Sequence, residues 1–294
     1  MGTLIAKAYP TKLALGAADH TYVECGTGGK AWGCWGGKTG GSVINQGTGS
    51  TQRADAIATP NERAGITCYM VNGVCHQAAN RILLPANILV TAAHGYSLSF
   101  SMFGTYGKTN GGLGCNAPFN QHPGVVGDLP ACVSASSGST SSPAPRKQSE
   151  AVRRHVSALK RLYNKRVAAA QTPLDELNAS LSEFLLEVKF SLPGARPVGV
   201  LGLRQAKSKA DLEHLRICEN LSRLEIDPVA FIKAFNAMTD LFQDEAANAL
   251  SPTQYRHFFG TEPGEHIYLP DPDVLEAQFG VGTALAVYGS RLRQ

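Results

Sequence analysis

Apolar and polar positions divide the chain into two unlike halves. Ile66, Thr67, Tyr69 and Val71 form a β-branched and aromatic run that predicts a short strand, broken at Asn72-Gly73. From Cys75 the period changes: Ala78, Ala79, Ile82 and Leu83 fall at i+3, i+4, i+7 and i+8, one face of a helix. Before this point His20–Glu24, the glycine turn Gly26–Gly29 and Lys30–Trp35 predict a β-hairpin, with Lys12–Ala18 ahead of it as an extended segment or an irregular lead-in. Gly36–Asn61 reads as a long polar loop that covers or lines a site. Asn87–Ala93 and Tyr96–Tyr106 read as strands, and Gly111–Pro130 as irregular.

The second half has helical spacing over Glu150–Ala170, Pro173–Phe190 and Pro228–Ala246. Thr172-Pro173 and Asp227-Pro228 are helix-start signals, and Phe231, Phe235, Met238, Leu241 and Phe242 form an apolar core stripe. Charge follows the same division. Residues 1–140 hold 8 Lys and Arg against 5 Asp and Glu, whereas residues 146–294 hold 19 and 18. The Ser-, Gly- and Pro-rich stretch 134–146 between them has linker composition. The expected organisation is an α+β domain at 1–140 and a helical domain at 146–294, in which no residue stands out as chemical.

The formal net charge of +4, without a basic stripe interleaved with aromatics, argues against nucleic acid as a partner. No apolar run is long enough to cross a membrane, and Met1–Lys7 lacks the apolar segment of a secretory signal. The expected location is cytoplasmic, or outside the cell by a signal-independent route. The seven cysteines are 25, 34, 68, 75, 115, 132 and 218. An odd number leaves at least one without an intramolecular partner, and spacing permits Cys25–Cys34 and Cys115–Cys132 without selecting them. Cys115, His122 and Cys132 match no closed zinc spacing, and no metal or cofactor is expected.

Cys75 opens a helix, where unpaired amides and the helix dipole favour a thiolate. His20 opens a strand. Together they are the two halves of a thiolate–imidazole pair. The hairpin from His20 and the helix from Gly73-Val74-Cys75 resemble the circularly permuted, papain-like members of the NlpC/P60 superfamily, including the lecithin:retinol acyltransferase-like branch. There too the histidine strand precedes the cysteine helix. The resemblance covers roughly residues 15–110 and rests on order and context rather than on a diagnostic string. It implies a papain-like fold, Cys75 as nucleophile, His20 as base and an acyl-enzyme on the path. It further implies a peptidoglycan amidase or endopeptidase, of a kind that also occurs in exported antibacterial toxins, with an immunity or chaperone protein as partner of the helical domain. The acyltransferase-like branch offers lipid acyl hydrolysis or transfer as the second reading, and a non-catalytic binding module is the third.

The resemblance also calls for a polar residue on the next strand to orient the imidazole. Lys30–Trp35 offers no His, Asp, Asn or Gln for that role, and Glu24 is the substitute the sequence offers. His94 is the rival base, in the ordinary papain order. Its context, Val90-Thr-Ala-Ala-His94, resembles the histidine segment of trypsin-like proteases, but no Gly-Asp-Ser-Gly-Gly accompanies it. His76, one residue after the cysteine, points about 100° away on a helix. Cys75 to Arg81 satisfies the C-x5-R skeleton of a phosphatase loop, but Ala78-Ala79 favour continuous helix. Asn80 and Arg81, expected on the helix face away from the core, read as hydrogen-bond anchors. Tyr96–Phe103 is the stretch expected to line a substrate groove. A small cysteine at a buried helix start is also ordinary core packing.

Overall fold

A computed structural model describes residues 1–33, 37–58, 64–66, 68–108, 149–168 and 172–292. The 134–146 stretch, the Gly111–Pro130 segment, and Cys34, Cys115, His122 and Cys132 lie outside the described residues. The fold is α+β. Four strands form one antiparallel sheet in the order β3-β2-β1-β4: β1 (Gly2–Pro10), β2 (Asp19–Cys25), β3 (Ala31–Gly33) and β4 (Ser42–Gly49). The hairpin expected from His20 onward is β2–β3, with Val23 opposite Trp32.

The central strand β1 was not anticipated. Its alternation is nonetheless simple: Leu4, Ala6 and Ala8 are buried and face Cys25, Val23 and Thr21 across the ladder. Ile5, Lys7 and Tyr9 occupy the other face with Glu24, Tyr22 and His20. That second face is polar, with Lys7 Nζ donating to Glu24 Oε1 at 2.9 Å. The supposed polar loop after β3 contains both β4 and helix α1 (Thr51–Ala58). Lys12–Ala18 is irregular, carrying isolated bridges from Leu13 to Leu292 and from Ala17 to Tyr268.

Helix α2 (Cys75–Ile82) begins where the apolar period predicts, and all eight of its residues are buried. The Ile66–Val71 strand does not form. The Asn72 side chain accepts from Cys68 N at 3.1 Å and donates to Gly65 O at 3.3 Å, so a local amide takes the bonds a strand partner would have supplied. The segment turns instead, with Met70 at φ +64°. Asn87–Ala93 is likewise not a strand. Tyr96–Phe103 is helix α3, closed at each end by Gly95 and Gly104 with positive φ. Seven of its eight residues are buried, so it is apolar all round and shows no helical period to read.

The second half supplies α4 (Glu150–Ala168), α5 (Pro173–Ser191), α6 (Pro197–Ser222), α7 (Pro228–Ala249), α8 (Pro252–Phe259), α9 (Pro272–Phe279) and α10 (Thr283–Tyr288). Thr172 and Asp227 cap α5 and α7 as their sequences predict, accepting from Asp175 N and Ala230 N. Of the expected apolar stripe on α7, Phe231, Phe235, Met238 and Phe242 are buried and Leu241 is exposed. One hydrophobic core runs through both halves. Phe103 of α3 stacks on Phe235 of α7 with centroids 5.9 Å apart, and Glu183 of α5 accepts from Thr105 N at 2.8 Å. Among the described residues no helix is long and apolar enough to cross a membrane.

Candidate active site

Three side chains from three distant parts of the chain meet at the end of β2. Cys75 is the first residue of α2, His20 the second of β2, and Asp271 the cap preceding α9. Asp271 Oδ2 lies 2.9 Å from His20 Nδ1, and all three residues are buried. The register explains the meeting. Ala17 bridges Tyr268 in parallel, with Ala18 N donating to Tyr268 O at 2.9 Å. Three residues further along each strand, His20 and Asp271 fall side by side.

Tyr69, in the turn leading to Cys75, fixes the same segment. Its hydroxyl accepts from Asp271 N at 3.0 Å and donates to Leu269 O at 3.4 Å. A second tie joins the halves next to it. His214 of α6 donates from Nε2 to Met70 O at 2.8 Å and accepts at Nδ1 from Lys108 Nζ at 2.7 Å. Burial, followed by the Lys108 charge, pushes His214 well below the usual histidine range, which keeps it in the neutral form this pattern requires.

The imidazole of His20 is strongly perturbed. Burial opposes its charge, but the Asp271 hydrogen bond and the adjacent Cys75 sulfur outweigh this and raise it to about 10. The contact with Cys75 stops short of a formed hydrogen bond, because Nε2 has no partner of hydrogen-bonding geometry. Cys75 Sγ instead lies 3.7 Å from the Asp19 carbonyl oxygen. With His20 Nδ1 engaged by Asp271, Nε2 is the ring nitrogen left for Cys75, the order of groups that a thiol–imidazole–carboxylate relay requires. In the first turn of α2 the Gln77 amide donates to Val74 O at 3.1 Å, which leaves the amides of Cys75 and His76 as the candidate donors to an oxyanion.

The other candidates sit elsewhere. His94 is held through its backbone, its N–H donating to Asp19 Oδ2 at 2.9 Å and its carbonyl accepting from Asp19 N at 3.0 Å. No contact joins it to Cys75 among the described residues. His76 donates from Nε2 to Asp19 O at 3.0 Å and accepts at Nδ1 from Ser99 Oγ at 2.7 Å. Complete burial pushes it down to about 3, so it is a neutral peg between α2 and β2 rather than a base. Glu24 is engaged by Lys7 and by the Tyr22 hydroxyl, at the far end of β2 from His20.

Asn80 and Arg81 are anchors, but buried ones. Asn80 donates to Thr105 O and accepts from Val90 N, while Arg81 donates to Tyr106 O and Ala64 O. Tyr96–Phe103 packs in the core as α3 rather than lining a groove. Cys68, Cys75 and Cys218 are not disulfide-bonded, whereas Cys25 is. No group of three His, Cys, Asp or Glu among the described residues is placed to hold a metal ion.

Sequence reasoning missed Asp271. Asp271-Pro272 carries the same helix-start signal as Asp227-Pro228, but that signal locates a cap and says nothing of what faces it. Compared with known proteins, the chain matches no family model, no curated protein and no solved structure.

Proposed function

We propose that the chain is a cysteine-nucleophile hydrolase working through an acyl-enzyme, with Cys75 as nucleophile, His20 as base and Asp271 as the residue orienting the imidazole. The observation that carries this is the 2.9 Å contact between His20 Nδ1 and Asp271 Oδ2, made on a histidine whose other nitrogen faces the first residue of a helix. Nε2 takes the Sγ proton, and the sulfur attacks the substrate carbonyl while first-turn amides receive the oxyanion. The imidazolium then protonates the leaving amine as the C–N bond breaks. Nε2 next deprotonates a water, which attacks the thioester and returns the proton to the departing sulfur. Asp271 holds the Nδ1 proton throughout.

The cysteine helix following the histidine strand supports the permuted papain-like, NlpC/P60-type reading, and with it a cell-wall peptide amide as substrate. The polar, glycine-rich stretch 37–41, held beside His20 by the Tyr9 hydroxyl, favours peptide over lipid. An exported antibacterial role, with the helical half as the docking place of an immunity or chaperone protein, completes the proposal. The test is digestion of purified peptidoglycan by the full chain. Released muropeptide fragments, lost in Cys75→Ala and His20→Ala, are expected. Intact peptidoglycan alongside Cys75-dependent cleavage of phospholipid vesicles would move the site to lipid chemistry.

A further inference from the structure

Tyr9 stands opposite His20 in the β1–β2 ladder, so both side chains leave the same face of the sheet. Their ring centroids are 4.9 Å apart with planes inclined by 31°, the separation of an offset aromatic contact. The hydroxyl of Tyr9 donates to Gly37 O at 3.0 Å. The next tyrosine on that face, Tyr22, donates likewise to Gly40 O. Two hydroxyls therefore pin the stretch 37–41 across the end of the sheet. Gly41 makes the close approach feasible: its φ is +75°, and a Cβ there would lie 2.5 Å from Ala8 O.

His20 needs a second constraint. Its single hydrogen bond, at Nδ1, does not by itself fix rotation of the ring about the line to Asp271, and Nε2 has no formed bond that would. A contact on the face of the ring removes that freedom. We propose that Tyr9 is a positioning residue for His20, its ring holding the imidazole plane toward Cys75 and its tether to Gly37 holding the ring. The proposal rests on the thiol–imidazole reading given above.

The ionisable groups facing His20 are Asp271 from α9, Cys75 and His76 from α2, and Tyr9 itself from β1. Burial, then the Asp271 and Cys75 charges, push the Tyr9 phenol above its ordinary range, so it remains a hydrogen-bond donor at neutral pH.

The experiment follows alkylation of Cys75 in the full chain by iodoacetamide from pH 5 to 9, resolved peptide by peptide, in wild type, Tyr9→Phe, Tyr9→Leu, Tyr22→Phe and His20→Ala. Tyr9→Leu keeps an apolar side chain and loses both the ring contact and the tether. It should label about tenfold more slowly at pH 6.5 and need a higher pH to reach half its maximal rate. Tyr9→Phe keeps the ring and loses the tether, and should slow by about two- to threefold. Tyr22→Phe removes the other tether without touching His20 and should label as wild type does. A wild-type rate in Tyr9→Phe overturns the proposal even where Tyr9→Leu melts too low to assay. So does Tyr22→Phe slowed as much as Tyr9→Phe, since the strap rather than the imidazole contact would then be responsible. His20→Ala separates the two levels: a wild-type rate there overturns the thiol–imidazole reading, whereas slowing there with unaltered Tyr9 variants overturns the role of Tyr9 alone.

Discussion

Replacing Asp271 by Asn tests the relay with little change of shape. Both carboxylate oxygens are committed: Oδ2 to His20 Nδ1 at 2.9 Å, and Oδ1 to Asp273 N, also at 2.9 Å, in the cap of α9. An amide has one oxygen. Turned toward Asp273 it preserves the cap, since Asn caps about as well as Asp. Its NH2 then meets His20, and the imidazole must accept at Nδ1 and carry its proton on Nε2, the tautomer that cannot take a proton from sulfur. Turned the other way it serves His20 and opposes two donors at the helix start. The rise of His20 from 6.5 to about 10 corresponds to about 5 kcal/mol, a net effect of Asp271 and Cys75 against burial. Loss of one hydrogen bond between charged groups costs about 1.5–3 kcal/mol, or about 10- to 150-fold in rate. Peptide-resolved alkylation of Cys75 at pH 7 should slow in Asp271→Asn by that factor, with a melting temperature close to wild type. A rate within twofold of wild type, alongside strong slowing in His20→Ala, would refute the claim that Asp271 orients the imidazole.

Two further outcomes follow from the same contacts. Tyr69→Phe removes the hydroxyl that bridges Asp271 N and Leu269 O, leaving a buried amide without its partner, and should cost about 1–3 kcal/mol in urea unfolding while also slowing Cys75 labelling. His76 must be neutral in the folded protein, its value depressed from 6.5 to about 3, so its contribution is present above pH 6.5 and is lost as pH falls through that window. His214, depressed in the same direction, adds to the effect. From His76 alone the loss approaches about 5 kcal/mol by pH 3. Urea midpoints measured at pH 7, 5 and 4 should fall steeply, and a constant midpoint would show that these histidines are not held neutral.

Cys75 and His20 were legible as a candidate pair because each sits at the start of an element whose period is short-range. Cys75 heads an i, i+3, i+4 pattern and His20 an alternating one, and both patterns survive folding. The strand expected at Ile66–Val71 failed for an equally local reason, Asn72 satisfying the backbone with its own amide. Helix α3 was misread because burial on every side erases periodicity. Strand β1 escaped the sequence reading because two of the three buried positions in its Leu4, Ala6, Ala8 alternation are alanines, a weak apolar signal.

What the sequence alone determined is therefore the local chemistry: a cysteine at a helix N-terminus, a histidine on a strand, capped helices in the second half, and an α+β composition. What only the tertiary structure decided is which polar groups complete the site. Asp271 lies 251 residues from His20, and the helical half that seemed to carry no chemistry delivers it. No propensity or spacing encodes that partnership. It arises from the parallel bridge of Ala17 with Tyr268, the Tyr69 clasp and a core shared by both halves. Local patterns specify how a segment folds, but the pairing of two distant segments is specified by the whole set of contacts that burial makes favourable together.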